Sequence, residues 1–295
     1  GPCYADKANR LGVRIGDLVH AERFQSLVRR AVEHNNNAFT RLFDAEPLNA
    51  EQILSEYSGY AEQLKPYVRN VEQSIYQAIQ GGENVLFEGA QGTFLDLTSG
   101  TYPYVTSSNT VAAGICVGAG IGPRHIDHVI GVIKAYTTRV GKGPLPSSVD
   151  EAEMFLDHNL DREIGTTTGR KRRIGWFDSV LIRDSARLNS FDSIALTKLD
   201  VLDKLPMIKI CTKYWLDGEE VHHLPWLSED IARVKPEYEE LPGWQSPTSQ
   251  VGSWEDLPEN AKRYIRRIEE LCGVPVSILS LGPERERTLT LQHLF

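Results

Sequence analysis

The sequence contains no run of about 18 apolar residues, so no membrane-spanning helix is expected, and no charged-then-apolar leader opens it. Its four cysteines, Cys3, Cys116, Cys211 and Cys272, are far apart, which argues against both a zinc site of paired thiolates and a dense disulfide framework. Reduced thiols are expected. There are no internal repeats and no low-complexity segments. Basic charge is in deficit: the net charge of −8 opposes nucleic acid as the main partner. Also missing are an initiator Met and any G-x-x-x-x-G-K-[ST] phosphate loop in the 295 residues. What is present, 41% hydrophobic and 24% charged residues, is the composition of a soluble globular protein with cytoplasm as the default compartment. The length allows one large or two ordinary domains.

The densest polar stretch runs from Val85 to Gly114. Val85, Leu86 and Phe87 form an apolar run that stops at Glu88 and Gly89, which predicts a buried strand delivering a loop at its C-terminal end, where α/β proteins bind ligands. Gln91 offers a side-chain amide that donates and accepts, beside Gly89 and Gly92. Thr106, Ser107 and Ser108 precede a predicted helix start at Thr110 to Gly114, so hydroxyls and backbone N–H groups could converge on a phosphate. An ordinary Gly/Ser loop between strand and helix fits the same pattern.

Two further loops carry chemistry. Residues 165–173, GTTTGRKRR, combine hydroxyls, a glycine and guanidiniums, a composition suited to recognising anions. The strand predicted over Ser193 to Thr197 delivers T-K-L-D. A carboxylate at Asp200 can accept from both the ring N–H and the exocyclic amine of guanine, while the Lys198 stem packs along a purine face. The alternative there is an exposed salt-bridging turn with Asp203 and Lys204. His125 and His128 lack a nearby carboxylate constellation and are read as structural. His34 is read as surface.

Elsewhere the pattern is that of a scaffold. Apolar residues at threes and fours predict helices from Leu18 to about Gln80, and Lys7, Arg10 and Arg14 would share one helical face. Ile130 to Ala135 predicts a second buried strand. Ile208 to Trp215 and Glu220 to Leu224 predict a hairpin around Asp217-Gly218. Lys235 to Gln250, rich in Pro, Gly and Trp, reads as a surface excursion. Asn260 to Leu271 predicts an amphipathic helix, and Val276 to Leu279 a final strand ending at Ser280, Leu281, Gly282 and Pro283. The fold class expected is α/β: a largely parallel central sheet with flanking helices and a hairpin-bearing subdomain, in one domain over 1–295.

EGAQGTFLDLTSGTYPYVTSSNT, GTTTGRKRR, TKLD and LPGW, in this order, resemble the adenylosuccinate synthetase family from end to end of the chain. LPSS at 145–148 departs from the family's FPTE-like run. The resemblance implies a GTP-dependent ligase: GTP phosphorylates the inosine oxygen of IMP, the amine of L-aspartate displaces that phosphate, and adenylosuccinate, GDP and phosphate result. It assigns IMP to Arg10, Gln91, Thr106, Val140 and Arg170, with Arg10 reaching the neighbouring active site of a homodimer. It assigns aspartate to Thr166, Thr167, Thr168, Gly169, Arg170, Lys171 and Arg172. It assigns GTP to Arg172, Lys198, Leu199, Asp200, Ser280, Leu281 and Gly282. The family's phosphate loop, its general-base aspartate, its histidine and the Mg2+ ligands are expected upstream of this chain, so no catalytic residue or metal ligand is named within it and the chain alone is expected to be inactive. A non-catalytic guanine-nucleotide-binding module would preserve the same base pocket. An RNA-binding protein using the basic loop would instead show salt-sensitive RNA affinity.

Overall fold

The computed structural model describes residues 1–149, 163, 169 and 171–292, and the chain divides into two compact units, Gly1–Leu86 and Phe87–Phe295. The first unit is helical: α1 (Pro2–Asn9), α2 (Ile15–Leu18), α3 (Ala21–Leu42), α4 (Ala50–Leu64) and α5 (Val71–Gln80). Phe24, Val28 and Val32 recur every fourth residue on α3 and bury with Leu18, Leu54 and Ala61, so the predicted periodicity has a packing partner. Asn49 and Asn70 cap α4 and α5 by accepting from backbone amides one turn in. Arg10 and Arg14 do not share a helix with Lys7 as expected. The amides of Leu11 and Gly12 both return to the Asp6 carbonyl, Arg10 turns left-handed at φ 63°, and Arg14 begins α2, so the chain breaks between them.

The second unit holds the sheets. β1 (Ile130–Lys134), β5 (Ser193–Thr197) and β9 (Val276–Ser280) run parallel, and β10 (Thr288–Thr290) closes the edge antiparallel, in the order β1-β5-β9-β10. β5 lies at the centre of the parallel run. Its Ile194 and Leu196 are fully buried, each contributing about 1.5–3 kcal/mol of burial. β1 is the edge strand, which is why its Val132 is 74% exposed although the sequence suggests a buried run. α7 (Ser179–Asn189) and α9 (Glu259–Cys272) pack against each other and share one buried core with Ile194 and Leu196 of β5. α9 buries Ala261, Tyr264, Ile265, Ile268 and Cys272, the apolar stripe its sequence predicts.

A second sheet is built on β6 (Met207–Leu216), which pairs parallel with β4 (Phe177–Asp178) and antiparallel with both β7 (Glu219–Val221) and β8 (Lys235–Pro242). The hairpin turn has Asp217 and Gly218 at φ 52° and 92°, the left-handed pair that a two-residue hairpin requires. Two expectations fail. Lys235 to Gln250 is not a surface excursion: β8 pairs along the length of β6, and Leu241, Trp244 and Thr248 are buried. Its prolines sit at the strand's second and last positions, where the missing N–H is tolerated, so they do not mark a loop. Nor do Val85 to Phe87 form a buried strand: they pair with no strand and Leu86 is 85% exposed, since a short apolar run without a neighbouring edge has no ladder to join. All four cysteines are free thiols, and no helix among the described residues is long and apolar enough to cross a membrane.

Candidate functional site

Parallel pairing brings the ends of β1, β5 and β9 to one edge of the sheet. Lys134 stands level with Thr197, and Leu196 with Leu279, so the segments following these strands emerge as neighbours. Lys198 leaves β5 in a left-handed conformation at φ 60°, which turns the chain sharply into a short helical turn over Leu199–Leu202. Leu199 is fully buried beneath it, so of the T-K-L-D residues Lys198 and Asp200 present side chains at the half-buried surface. On the adjacent strand, the Ser280 hydroxyl donates to the Gly282 carbonyl at 3.1 Å. The Leu281 side chain is fully buried, and its amide donates to Arg287. The residues assigned to guanine therefore lie on two adjacent strand ends, with both leucines serving as anchors.

The turn is braced from behind. Asp203 accepts from the Trp244 indole at 2.7 Å and from the Thr248 amide and hydroxyl at 2.8 Å each. Burial pushes its carboxyl above the ordinary range, and those three donors only partly offset this. Gly243 packs so closely that a Cβ would lie 1.8 Å from the Leu205 carbonyl oxygen. LPGW is thus the strut of the T-K-L-D turn, a structural role its sequence does not disclose.

Glu163 is the centre of charge at this edge. Its side chain, 3% exposed, accepts from Lys134 Nζ at 2.8 Å, Tyr136 Oη at 2.5 Å and Lys198 Nζ at 2.5 Å. Its carbonyl accepts from the Arg172 amide at 2.9 Å, and Arg172 Nε lies 3.7 Å from its carboxylate. Burial alone would raise the carboxyl, but the hydrogen bonds from Lys134, Lys198 and Tyr136 outweigh it and hold the pKa at about 2, so the group is ionised. Burial, with the charges of Lys198 and Arg172, pulls Lys134 down despite the carboxylate. Among the described residues one carboxylate is shared by three cations, which leaves positive charge in excess there and favours an anion nearby. Arg172 Nε is buried and lies beyond hydrogen-bond reach of that carboxylate, which it meets as an ion pair.

The loop after residue 90 forms a second polar group. Gln91, at φ 70°, donates from Nε2 to Thr106 Oγ1 at 3.1 Å and accepts from Ser108 Oγ at 3.3 Å. Asp96, fully buried, organises the loop by accepting from the amides of Thr98, Ser99 and Thr110. Burial raises its carboxyl, yet the Ser99, Thr98 and Thr110 amides together hold it below the usual range. α6 (Ala113–Ala119) begins where the sequence predicts a helix, but the amides of Thr110 and Val111 go to Asp96 and that of Ala112 to Asn189. Those three amides are occupied within the protein. Arg139 donates to Thr101 Oγ1 and the Tyr104 carbonyl, both at 2.8 Å, tying this loop to half-buried Val140, its neighbour in sequence.

The structure thus gathers Gln91, Thr106 and Val140 in one region, and Lys198, Asp200, Ser280, Gly282 and Arg172 along the sheet edge. Gly169, at φ 61°, and exposed Lys171 belong to the basic loop. Thr166, Thr167, Thr168 and Arg170 lie outside the described residues, and Arg10 belongs to the other compact unit. Ser147, in the LPSS run, is fully buried, with its hydroxyl 3.1 Å from Thr137 Oγ1. Lys134, Tyr136, Arg139 and Glu163 were not singled out by sequence reasoning. Among the described residues no group of three or more His, Cys, Asp or Glu is placed to hold a metal ion.

Polar loops converging on the carboxyl edge of a parallel sheet define an α/β protein of the nucleotide-binding type. The family model for adenylosuccinate synthetase matches residues 1–289. The adenylosuccinate synthetase of Desulforamulus reducens is 48% identical over 295 residues, 100% of this chain and 69% of that protein. That of Crocosphaera subtropica is 49% identical over 294 residues, 99% of this chain and 66% of that one. The solved structure of fully ligated adenylosuccinate synthetase from Plasmodium falciparum superposes with a TM-score of 0.93 at 34% identity, covering 98% of this chain and 68% of that one. The chain belongs to the adenylosuccinate synthetase family, and it spans about two thirds of the length of these relatives.

Proposed function

We propose that this chain supplies the base-reading and amino-acid-binding parts of a GTP-dependent ligase that joins L-aspartate to IMP. The reaction passes through 6-phosphoryl-IMP and yields adenylosuccinate, GDP and phosphate. The observation that supports this best is the adjacency of Asp200 and Ser280–Gly282 at the ends of neighbouring parallel strands, a slot in which a planar base meets a carboxylate on one side and backbone on the other. Beside that slot the cationic surplus around Glu163 suits phosphates. Gln91 and Thr106, already hydrogen-bonded to each other, are the candidate contacts to IMP, with Val140 offering backbone to its ribose. Arg170 and the threonines at 166–168 would hold the aspartate carboxylates, and Arg172 would face the nucleotide phosphates.

In this reading the chain's residues act by positioning and electrostatics, which is most of what phosphoryl transfer demands. Magnesium, when bound, would neutralise charge on the phosphates. Arg10 would reach the active site of a second subunit in a cytoplasmic homodimer. The guanine assignment is tested by Asp200→Asn in protein made from the entire reading frame. An amide at this position donates to the xanthine oxygen where the carboxylate accepted from the guanine amine. kcat/KM should fall at least about tenfold for GTP and rise for xanthosine triphosphate, and an unchanged base preference would refute the pocket.

A further inference from the structure

The geometry points to Arg139 as a positioning residue for IMP: its guanidinium clamps the loop carrying Thr106 against the strand end carrying Val140, and so fixes the spacing of the two. The inference rests on the functional reading above, in which Thr106 and Val140 meet IMP. Arg139 ends β2 (Thr137–Arg139), which pairs antiparallel with β3 (Arg173–Gly175). Its terminal Nη2 alone donates to the Thr101 hydroxyl and to the Tyr104 carbonyl, 38 and 35 residues earlier in the chain. Two residues beyond Tyr104 stands Thr106, whose amide donates to the Leu95 carbonyl at 2.8 Å and whose hydroxyl accepts from Gln91. Val140 follows Arg139 directly.

Both ends of the clamp are themselves fixed. Thr101 is buried, with its hydroxyl 3.3 Å from the Phe94 carbonyl oxygen. Across the strand pair Arg173 stands opposite Arg139 and donates to the carbonyls of Gly141 and Gly143, which draws the loop after Val140 back onto the strands. Gly143 in turn lies so close to Arg139 that a Cβ there would fall on its Nη2. Burial, and then the charge of Arg173, works against the charge on Arg139, and its Nε is buried with no hydrogen-bond partner among the described residues. No ion pair joins either guanidinium to a carboxylate among the described residues. A half-buried cation beside a like charge is a costly way to join two loops for stability alone. What its two directed donors supply is a defined spacing between groups that must meet one ligand.

The test compares Arg139→Gln, Gly143→Ala and the double variant in protein made from the entire reading frame. Glutamine is too short to span both acceptors and carries no charge. Gly143→Ala keeps the charge and displaces the guanidinium, because the atoms nearest the new methyl are the mobile end of Arg139. In each single variant KM for IMP should rise at least about fivefold, with KM for GTP within about twofold and kcat within about threefold of wild type, as expected when binding common to ground and transition states is lost. Adding Gly143→Ala to Arg139→Gln should change KM for IMP by less than about twofold, since no guanidinium is then left to displace. The proposal is overturned if KM for IMP stays at wild type in either single variant, if KM for GTP rises in step, or if kcat falls alone. A rise in Arg139→Gln without one in Gly143→Ala would assign the effect to charge rather than spacing, and overturns it as well. A second readout needs no turnover: hydrogen exchange at the amides of Tyr104 and Thr106, which donate to Thr101 and Leu95, should quicken at least about fivefold in each single variant while the β5 amides keep their wild-type rates. Unchanged exchange at both amides overturns the clamp. Should Arg139→Gln not fold, Gly143→Ala carries both readouts. A wild-type protein with no GTP-, IMP- and aspartate-dependent turnover would sink the functional reading alone, and the exchange rates would still decide the clamp.

Discussion

Asp178 offers the sharpest physical test of the fold beneath the site. It ends β4, caps α7 by accepting from the Leu181 amide at 3.2 Å, and accepts from the Tyr214 hydroxyl at 2.7 Å. It is fully buried, and no ion pair joins it to a cation among the described residues. Burial raises its pKa to about 6 against the pull of the Tyr214 and Leu181 donors. The folded protein therefore holds this proton more tightly than the unfolded chain does. The stability this group contributes is full below the unfolded value of about 3.9 and is lost as pH rises through about 6, a swing of about 3 kcal/mol. Asp178→Asn removes the titration while keeping an acceptor for Leu181, because the Tyr214 hydroxyl can rotate to accept from the new amide. Urea unfolding of both proteins at about pH 4 and about pH 7.5 isolates the group, since every other titration cancels in the difference. The wild type should lose about 2.4 kcal/mol relative to the variant across that window and be the less stable of the two at the upper end. A difference that stays constant to within about 0.5 kcal/mol would show that no charge is being buried there at a cost.

The strut behind the T-K-L-D turn gives two more expectations. Asp203→Ala strands the Trp244 and Thr248 donors in a closed environment. At about 1–3 kcal/mol per unsatisfied buried group, partly offset by removing a buried carboxylate, stability should fall by about 3 kcal/mol in denaturant unfolding, with KM for GTP raised more than KM for IMP. Gly243→Ala places a methyl 1.8 Å from one backbone oxygen and 2.8 Å from its carbon. Because β8 and the residue 205–206 backbone must move apart, the loss should reach at least about 3 kcal/mol, and a variant as stable as wild type would mean that the approach of these chains is looser than described.

What the sequence could disclose depended on how local the signal was. α9 was legible because its stripe recurs every three to four residues, β5 because a five-residue β-branched and aliphatic run ends at a polar turn, and the β6–β7 hairpin because Asp217-Gly218 permits only a few backbone geometries. β8 was misread because its prolines and glutamates spell a loop to any local rule, while its pairing is decided by β6, some twenty to thirty-five residues earlier in the chain. The run at Val85 to Phe87 failed in the opposite sense, a strand-like composition with no edge to join. Glu163 shows why the charged centre was harder still. Its acceptor oxygens are claimed by residues 27, 29 and 35 positions away, and neither Lys134 nor Tyr136 stands in a motif. Only the parallel register, which sets Lys134 level with Thr197, makes them neighbours. A motif such as T-K-L-D can be read from four adjacent residues. The group that holds its lysine still is selected by geometry alone, and any glutamate delivered to the sheet edge by another connection would satisfy the same physics without leaving a pattern to read.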